Sequence, residues 1–411
     1  MELRATHPYP SRRSAVAADN IVATSHPLAA QAGLGMLARG GNAVDAALAT
    51  AIALTVLEPT GNGIGSDAFA ILWDGKQLHG LNASGRSPKD WTPDRFAGHA
   101  KMPFRGWESV TVPGAVSAWV SLSETFGKLP FEELFGPAVR YAENGFPVSP
   151  VVAALWQRAA AELGDQPGFA ETFMPNGAAP KAGEYFRSRG HARTLKRIAE
   201  TNGKAFYEGD IAEEIAAYSH AHHAALTLED LAQHRADWCG TISKSFDDCA
   251  LHEIPPNGQG IAALMGLGIL SQTGIRDMDA EDPRALHLQI EAMKLALRDA
   301  EAFVGDLDHM KTVTVDDLLD DGYLAARARE IDLTRATDFG AGAPNQGGTV
   351  YLTAADASGM MVSFIQSNYA GFGSGVVVPG TGIALQNRGA GFSLDPAHQN
   401  CVGPNKRPFH T

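Results

Sequence analysis

A chain of 411 residues, 45% hydrophobic and 19% charged, can bury a large core, and its length suits two or three domains. Its formal net charge of −13 argues against nucleic acid or an anionic membrane as the main partner. Three cysteines, Cys239, Cys249 and Cys401, lack metal-ligand spacing and a C-x-x-C pair, so they read as buried packing residues without disulfides or metal.

The charge is uneven. Residues 349–411 hold Arg388, Lys406 and Arg407 against Asp356 and Asp395, a net +1, which leaves −14 on residues 1–348. A slightly basic end on an acidic body is compatible with an anionic substrate. The N-terminus has no apolar run of a secretory signal, and the apolar stretch from Ala43 to Leu57 is too short to cross a bilayer. These features predict a soluble, cytoplasmic protein.

In chain order, Ile21-Val22-Ala23-Thr24 reads as a strand. Ser25 then caps a helix with Pro27 in its first turn, and Gly40-Gly41 ends it near Arg39. Asn42 caps an alanine-rich helix that Glu58-Pro59 stops, and so many alanines imply a close neighbour. Gly61-Asn62-Gly63-Ile64-Gly65-Ser66-Asp67 looks like a phosphate cradle. Its G-x-G-x-G spacing follows a helix and precedes a strand over 69–73, which argues against a dinucleotide fingerprint. Asp74-Gly75 is a hairpin turn returning a strand over 78–82. Arg86 follows on a glycine-flanked bend, a candidate for gripping a carboxylate bidentately.

Thr111-Val112-Pro113-Gly114 leads into a helix over 115–126, and residues 131–145, 151–163 and 190–236 carry further helical patterns. His220, His222 and His223 read as a solvated face. A strand over 247–254, a tight Pro255-Pro256-Asn257-Gly258 loop and helices over 260–270 and 284–303 come next. His287 and Glu291 share one face of the last helix as a structural pair. Residues 344–348 form a glycine-rich approach that reads as an exposed, mobile loop suited to cleavage. Two hairpins follow, 350–356 with 360–367 and 376–378 with 383–386. Helices before, paired strands after and no βαβ alternation predict an α+β fold.

The stretches ATSHPLAAQAG, GGNAVDAALATAIAL, EPTGNGIGSDAF, TVPGAVSAW, FGKLPFEELFGPAVRYAENGFPVS, GKAFYEGDIAEEI, HLQIEAMKLALRDAEAFVGD and FGSGVVVPGTGIALQN stand in a telling order. Together they resemble the gamma-glutamyltransferase (gamma-glutamyltranspeptidase) family of N-terminal-nucleophile hydrolases, over about residues 21–411. The resemblance implies a four-layer αββα sandwich, made as one precursor that cuts itself between Gly348 and Thr349. Residues 1–348 are then the large-subunit region and 349–411 the beginning of the small-subunit region. The cleaved subunits are implied to form a heterodimer or a higher oligomer. Thr349 is the implied nucleophile, acting on a small-molecule amide or peptide with no metal or organic cofactor. A threonine hydroxyl needs an adjacent base. Cleavage supplies one, because a freed α-amine has an ordinary pKa of about 7.7–8.0. Thr353 faces the same side of its strand and, with Ser367, is a candidate supporting hydroxyl.

Departures from the family pattern point to the donor. Val350 stands where the transferring members carry a second threonine. The family's substrate-binding arginine falls at Ser84, two residues before Arg86. Its threonine and asparagine fall at Ser367 and Tyr369, and its acidic pair at Arg388 and Gly391. Arg388 attracts a carboxylate and repels an ammonium. The pattern therefore looks like the acylase-type relatives, including those named for cephalosporin side chains. It predicts hydrolysis of an amide whose acyl part carries a carboxylate but no ammonium. The chain stops at Pro408-Phe409-His410-Thr411, before the strands and Gly-Gly oxyanion donors of the family pattern, so the fold is expected with its C-terminal part missing. The alternative reading is a truncated, uncleaved and inactive relative with a binding or assembly role.

Overall fold

The computed structural model describes residues 16–279, 281–339 and 348–410. Strand β1 (Ile21–Thr24) leads into helix α1 (Pro27–Ala38), whose cap is His26 and not the expected Ser25. Leu28 N donates to His26 Nδ1 at 3.2 Å, while the Ser25 hydroxyl donates to Glu58 Oε2 at 2.8 Å. Helix α2 (Ala43–Leu57) opens on a capping box between Asn42 and Asp45. All fifteen of its residues are buried. The close neighbour its alanines demanded is α1: a Cβ on Gly33 would stand 2.3 Å from Thr50 Oγ1.

Strands β2 (Asp67–Trp73) and β3 (Leu78–Asn82) form the predicted hairpin, with Gly75 at φ +93° in its turn. Helix α3 (Ala115–Phe126) matches its predicted span, and α4 (Gly136–Asn144), β4 (Phe146–Pro147), α5 (Pro150–Leu163), α6 (Phe169–Phe173) and β5 (Tyr185–Phe186) follow. The charged helical region divides into α7 (Arg189–Glu200), α8 (Lys204–Glu208), α9 (Asp210–Ala221) and α10 (Leu228–Gln233). His220, His222 and His223 are exposed at the end of α9, and no cluster of metal-binding side chains occurs among the described residues.

After β6 (Asp237–Trp238), the single strand expected over 247–254 is instead half of a hairpin, β7 (Ile242–Phe246) with β8 (Cys249–Glu253). Asp247, at φ +59°, makes its turn; aspartate tolerates that left-handed conformation. The hairpin packs on α11 (Gly260–Ser271), which pairs with α12 (Pro283–Phe303). Glu291 on α12 is buried between Lys294 Nζ at 2.8 Å and Thr337 N at 3.0 Å, whereas His287 Nε2 lies 2.8 Å from Asp332 O, so the two residues expected to pair take separate structural partners. Helices α13 (Val315–Leu319) and α14 (Asp321–Ala328) close this smaller core. The cysteines are free, but the expectation of buried packing fails: Cys249 is exposed and Cys239 and Cys401 are half-buried. No helix among the described residues is long and apolar enough to cross a membrane.

The last strands are β9 (Gly348–Ala355), β10 (Met361–Tyr369), β11 (Val377–Val378) and β12 (Ile383–Ala384). The main sheet runs β1-β9-β10-β2-β3-β6, antiparallel throughout. Strands from the two ends of the sequence thus interleave. The chain is a mixed α/β protein in which sheet and helices pack in layers. On one face of β9 and β10, Val350, Leu352, Ala354 and Phe364 are buried in the large core beneath α2. The opposite face carries Thr349, Tyr351, Thr353, Met361 and Ile365. Over β2 and β3 this second face is covered, because His410 packs edge-on against Phe69 at 5.1 Å.

Candidate active site

Thr349 is the second residue of β9 and is exposed on the outward face of the sheet. The Thr349 and Ser367 hydroxyl oxygens are 3.0 Å apart, within hydrogen-bond distance. Strand β10 has an irregular register between Gln366 and Tyr369, so that Tyr369 pairs with Gly348. This bulge holds Tyr369 at φ +75°, a left-handed conformation that strains a residue with a Cβ. It turns the Tyr369 N–H back onto Ser367 Oγ at 2.8 Å. It also lays the buried Tyr369 ring against the Arg388 guanidinium, 4.6 Å from the ring centre.

The glycine-rich loop after α2 serves this strand. A Cβ on Gly61 would lie 3.7 Å from the Thr349 nitrogen and 3.5 Å from Val350 Cγ1. Gly61 O accepts from Asn368 N at 3.2 Å, tying the loop to the bulge. Behind the hydroxyl pair, Gln366 Nε2 donates to Asn62 Oδ1 at 2.8 Å and Trp119 Nε1 donates to Gln366 Oε1 at 2.9 Å. Asn62 in turn donates to the carbonyls of Leu54 and Glu58 at the end of α2. Gln366, Trp119 and Asn62 thus satisfy one another's buried side-chain groups, which makes a rigid base under an exposed hydroxyl.

Asp67 heads β2 directly opposite Ser367. Thr349, Ser367 and Asp67 therefore form one row across three strands, spanning two interstrand spacings or about 10 Å. Asp67 Oδ1 accepts from the backbone N–H groups of Gly85 at 3.1 Å and Gly114 at 3.0 Å. Burial pushes the Asp67 carboxyl up to about 7, against the opposing pull of Arg388, those two N–H groups and Arg407. Burial likewise pushes Arg388 down to about 10, against the pull of Asp67.

The other predicted residues lie as follows. Thr353 is half-buried on the outward face, four residues along β9, opposite Ala23 and Ser363. Arg86 faces Asp237 at 3.7 Å. Asp237 is on β6, four strands from β9, so Arg86 stands beyond the row and not beside Thr349. Gly348 begins β9, whereas the approach over 344–347 lies outside the described residues. Sequence reasoning missed Asp67, Gly61 and Gln366. The signal for Asp67 was an acid at the head of an otherwise apolar strand.

A threonine at the head of a strand on an open antiparallel sheet, backed by a buried polar network, is the architecture of N-terminal-nucleophile hydrolases. Comparison with solved structures agrees: cephalosporin acylase from Bacillus halodurans superposes with a TM-score of 0.94 at 49% identity, over 100% of this chain and 77% of that one. The chain belongs to the gamma-glutamyltranspeptidase family, whose sequence model matches residues 29–411. A glutathione hydrolase-like proenzyme, YwrD, of Bacillus subtilis is 36% identical over 97% of this chain and 76% of its own. An oxamate amidohydrolase proenzyme of Klebsiella pneumoniae is 38% identical over 97% of this chain and 76% of its own. The family is one of self-processing hydrolases and acylases, and the chain is an enzyme of that family. Relatives named as proenzymes give no support to the reading as an uncleaved binding protein.

Proposed function

We propose that the chain is a threonine-nucleophile amidohydrolase that activates itself by cleavage between Gly348 and Thr349. The observation that supports this reading best is the 3.0 Å approach of the Thr349 and Ser367 hydroxyls on the open face of the sheet. Self-cleavage starts when Thr349 Oγ1 adds to the Gly348 carbonyl carbon. The carbon–nitrogen bond breaks, the proton passes to the new α-amine, and water hydrolyses the resulting ester. The Thr349 amine is then the base for its own hydroxyl in the next cycle. Attack on a substrate amide gives an acyl-enzyme and releases an amine, and water or a second amine takes the acyl group. Ser367 already accepts the Tyr369 N–H, which biases its own proton toward Thr349 Oγ1 as negative charge builds there.

The preferred acyl group carries a carboxylate and no ammonium. Arg388 lies against the ring of Tyr369, the residue that pairs with Gly348, and supplies the cation for that carboxylate. The relative named for oxamate is consistent, because oxamate has a carboxylate and no ammonium. Localisation in the cytoplasm and assembly of the two pieces as a heterodimer belong to the same proposal. The test is intact mass under denaturing conditions, followed by assay on glutaryl, succinyl, oxamic and gamma-glutamyl amides. Two pieces dividing at Gly348–Thr349 and turnover of the first three are expected. One stable full-length band, or efficient cleavage of gamma-glutamyl anilide alone, overturns it.

A further inference from the structure

The row that begins at Thr349 ends in a buried polar spot that the proposed chemistry does not use. Asp67, Arg407 and His410 are each more than nine-tenths buried. Asp67 Oδ2, Arg407 Nη2 and both ring nitrogens of His410 lack hydrogen-bond partners among the described residues. His410 Nε2 is 3.4 Å from Asp67 Oδ2, without hydrogen-bond geometry. Buried polar atoms are normally paired, and several bare ones at one place call for an absent group that pairs them.

We infer that Asp67 and His410 form the far end of the acyl pocket, where Asp67 binds the terminal carboxylate of a short dicarboxylic acyl group as the neutral acid, sharing one proton with it. This inference rests on the acyl-enzyme reading and adds the residues that select the donor. The position fits: Asp67 is two strands from Thr349 along one row of the sheet, a span suited to a short acyl chain reaching from the hydroxyl. The charge fits as well. The groups facing Asp67 are the guanidiniums of Arg388 and Arg407, the His410 imidazole and the Tyr207 phenol, and Arg407 Nη1 is itself paired with Asp237 Oδ2 at 2.7 Å. Burial holds His410 neutral, with one ring nitrogen to donate and one to accept. Burial keeps Tyr207 protonated, with its hydroxyl already given to Pro113 O at 2.9 Å.

Arg388 and Arg407 stand against two acids, Asp67 and Asp237, so the spot is balanced when both are ionised and carries one net positive charge once Asp67 is protonated, which favours an anion over an ammonium. An ionised Asp67 repels the incoming carboxylate; a protonated one donates to it, while Gly85 and Gly114 hold its other oxygen in place. The proton comes from solvent. Because Asp67 titrates near 7, the selection changes across neutral pH.

The test is KM against pH for glutaryl and butyryl p-nitroanilides with the wild-type chain and Asp67→Asn. The KM of the glutaryl substrate is expected to rise about tenfold per pH unit above about 7, that of the butyryl substrate to stay level, and Asp67→Asn to abolish the rise. An equal rise for both substrates, or a rise that survives Asp67→Asn, overturns the inference. So does tighter binding of gamma-glutamyl p-nitroanilide at high pH that Asp67→Asn removes, since Asp67 would then be an ammonium site. Calorimetry of glutarate binding to the wild-type chain at pH 8, in two buffers of different ionisation enthalpy, does not depend on the variant folding or on turnover. Uptake of close to one proton is expected; no uptake, or no binding, overturns it. A chain that hydrolyses nothing yet takes up that proton refutes the Thr349 chemistry and leaves the pocket standing.

Discussion

The two faces of β9 and β10 obey opposite rules. On the inner face Val350, Leu352, Ala354 and Phe364 are almost wholly buried under α2. On the outer face Tyr351 and Met361 are about half exposed, and Thr349 is exposed as well. The same period of two serves both. One set of alternate residues anchors the strand, and the other is carried in a position set by that anchoring. A reactive hydroxyl is more precise on a strand than on a loop, because the core on the far side fixes the backbone beneath it. Thr349 is thus held by residues on the buried face of the sheet.

Thr349→Ala breaks the outer face most completely. It should lose hydrolysis by about 10⁴-fold or more and leave one uncleaved band on a denaturing gel, with an unchanged fold by circular dichroism. The inner face answers to a different assay. Leu352→Ala should lower stability by about 2–5 kcal/mol in urea unfolding, while Tyr351→Ala on the outer face stays within about 1 kcal/mol. Equal losses would mean the outer face is packed in solution.

Acid should find the helical side of the molecule first. His191 on α7 and His234 after α10 are buried, and burial lowers their pKa values to about 4 and about 3. In the unfolded chain both titrate near 6.5, so the unfolded state binds more protons as pH falls. Stability is present above pH 6.5 and is lost from there toward pH 4, by up to about 1.4 kcal/mol per pH unit for each ring. Asp67 works the other way: its raised pKa makes the folded state the better proton binder between about 4 and 7. Urea midpoints of His191→Gln and wild type at pH 5 and 7 isolate the histidine part, and the variant should lose less on acidification. The smallest effect is expected at Ser367. Ser367→Ala should lower kcat about tenfold with little change in KM, and Ser367→Thr should restore most of it.

Much of this was legible in the order of residues. The spans of β1, α2, β3 and α3 followed from caps, glycines and periodicity, which are local causes. His26 is the cap because the helix begins at Pro27, one residue later than a Ser25 cap requires, and the Ser25 hydroxyl goes instead to Glu58, 33 residues away. The hairpin at Asp247 was missed because a left-handed aspartate leaves no glycine to mark the turn. Exposure of Cys249 was missed for a similar reason: a β-strand residue next to a turn can face either way, and only the packing of that hairpin decides it.

By itself the sequence determined that a threonine opens a strand with one apolar face, and that this strand belongs to a recognisable family pattern. Those are properties of near neighbours and of motif order. Only the tertiary structure decided what surrounds the hydroxyl. Ser367 comes 18 residues later, while Gly61 and Asp67 come from the first seventy residues and His410 from the last few. The physical reason is the interleaving of β9 and β10 between β1 and β2, which brings the two ends of the chain into one sheet. No local periodicity encodes a bulge at Tyr369 or a row of side chains crossing three strands. Both exist only once distant strands have paired.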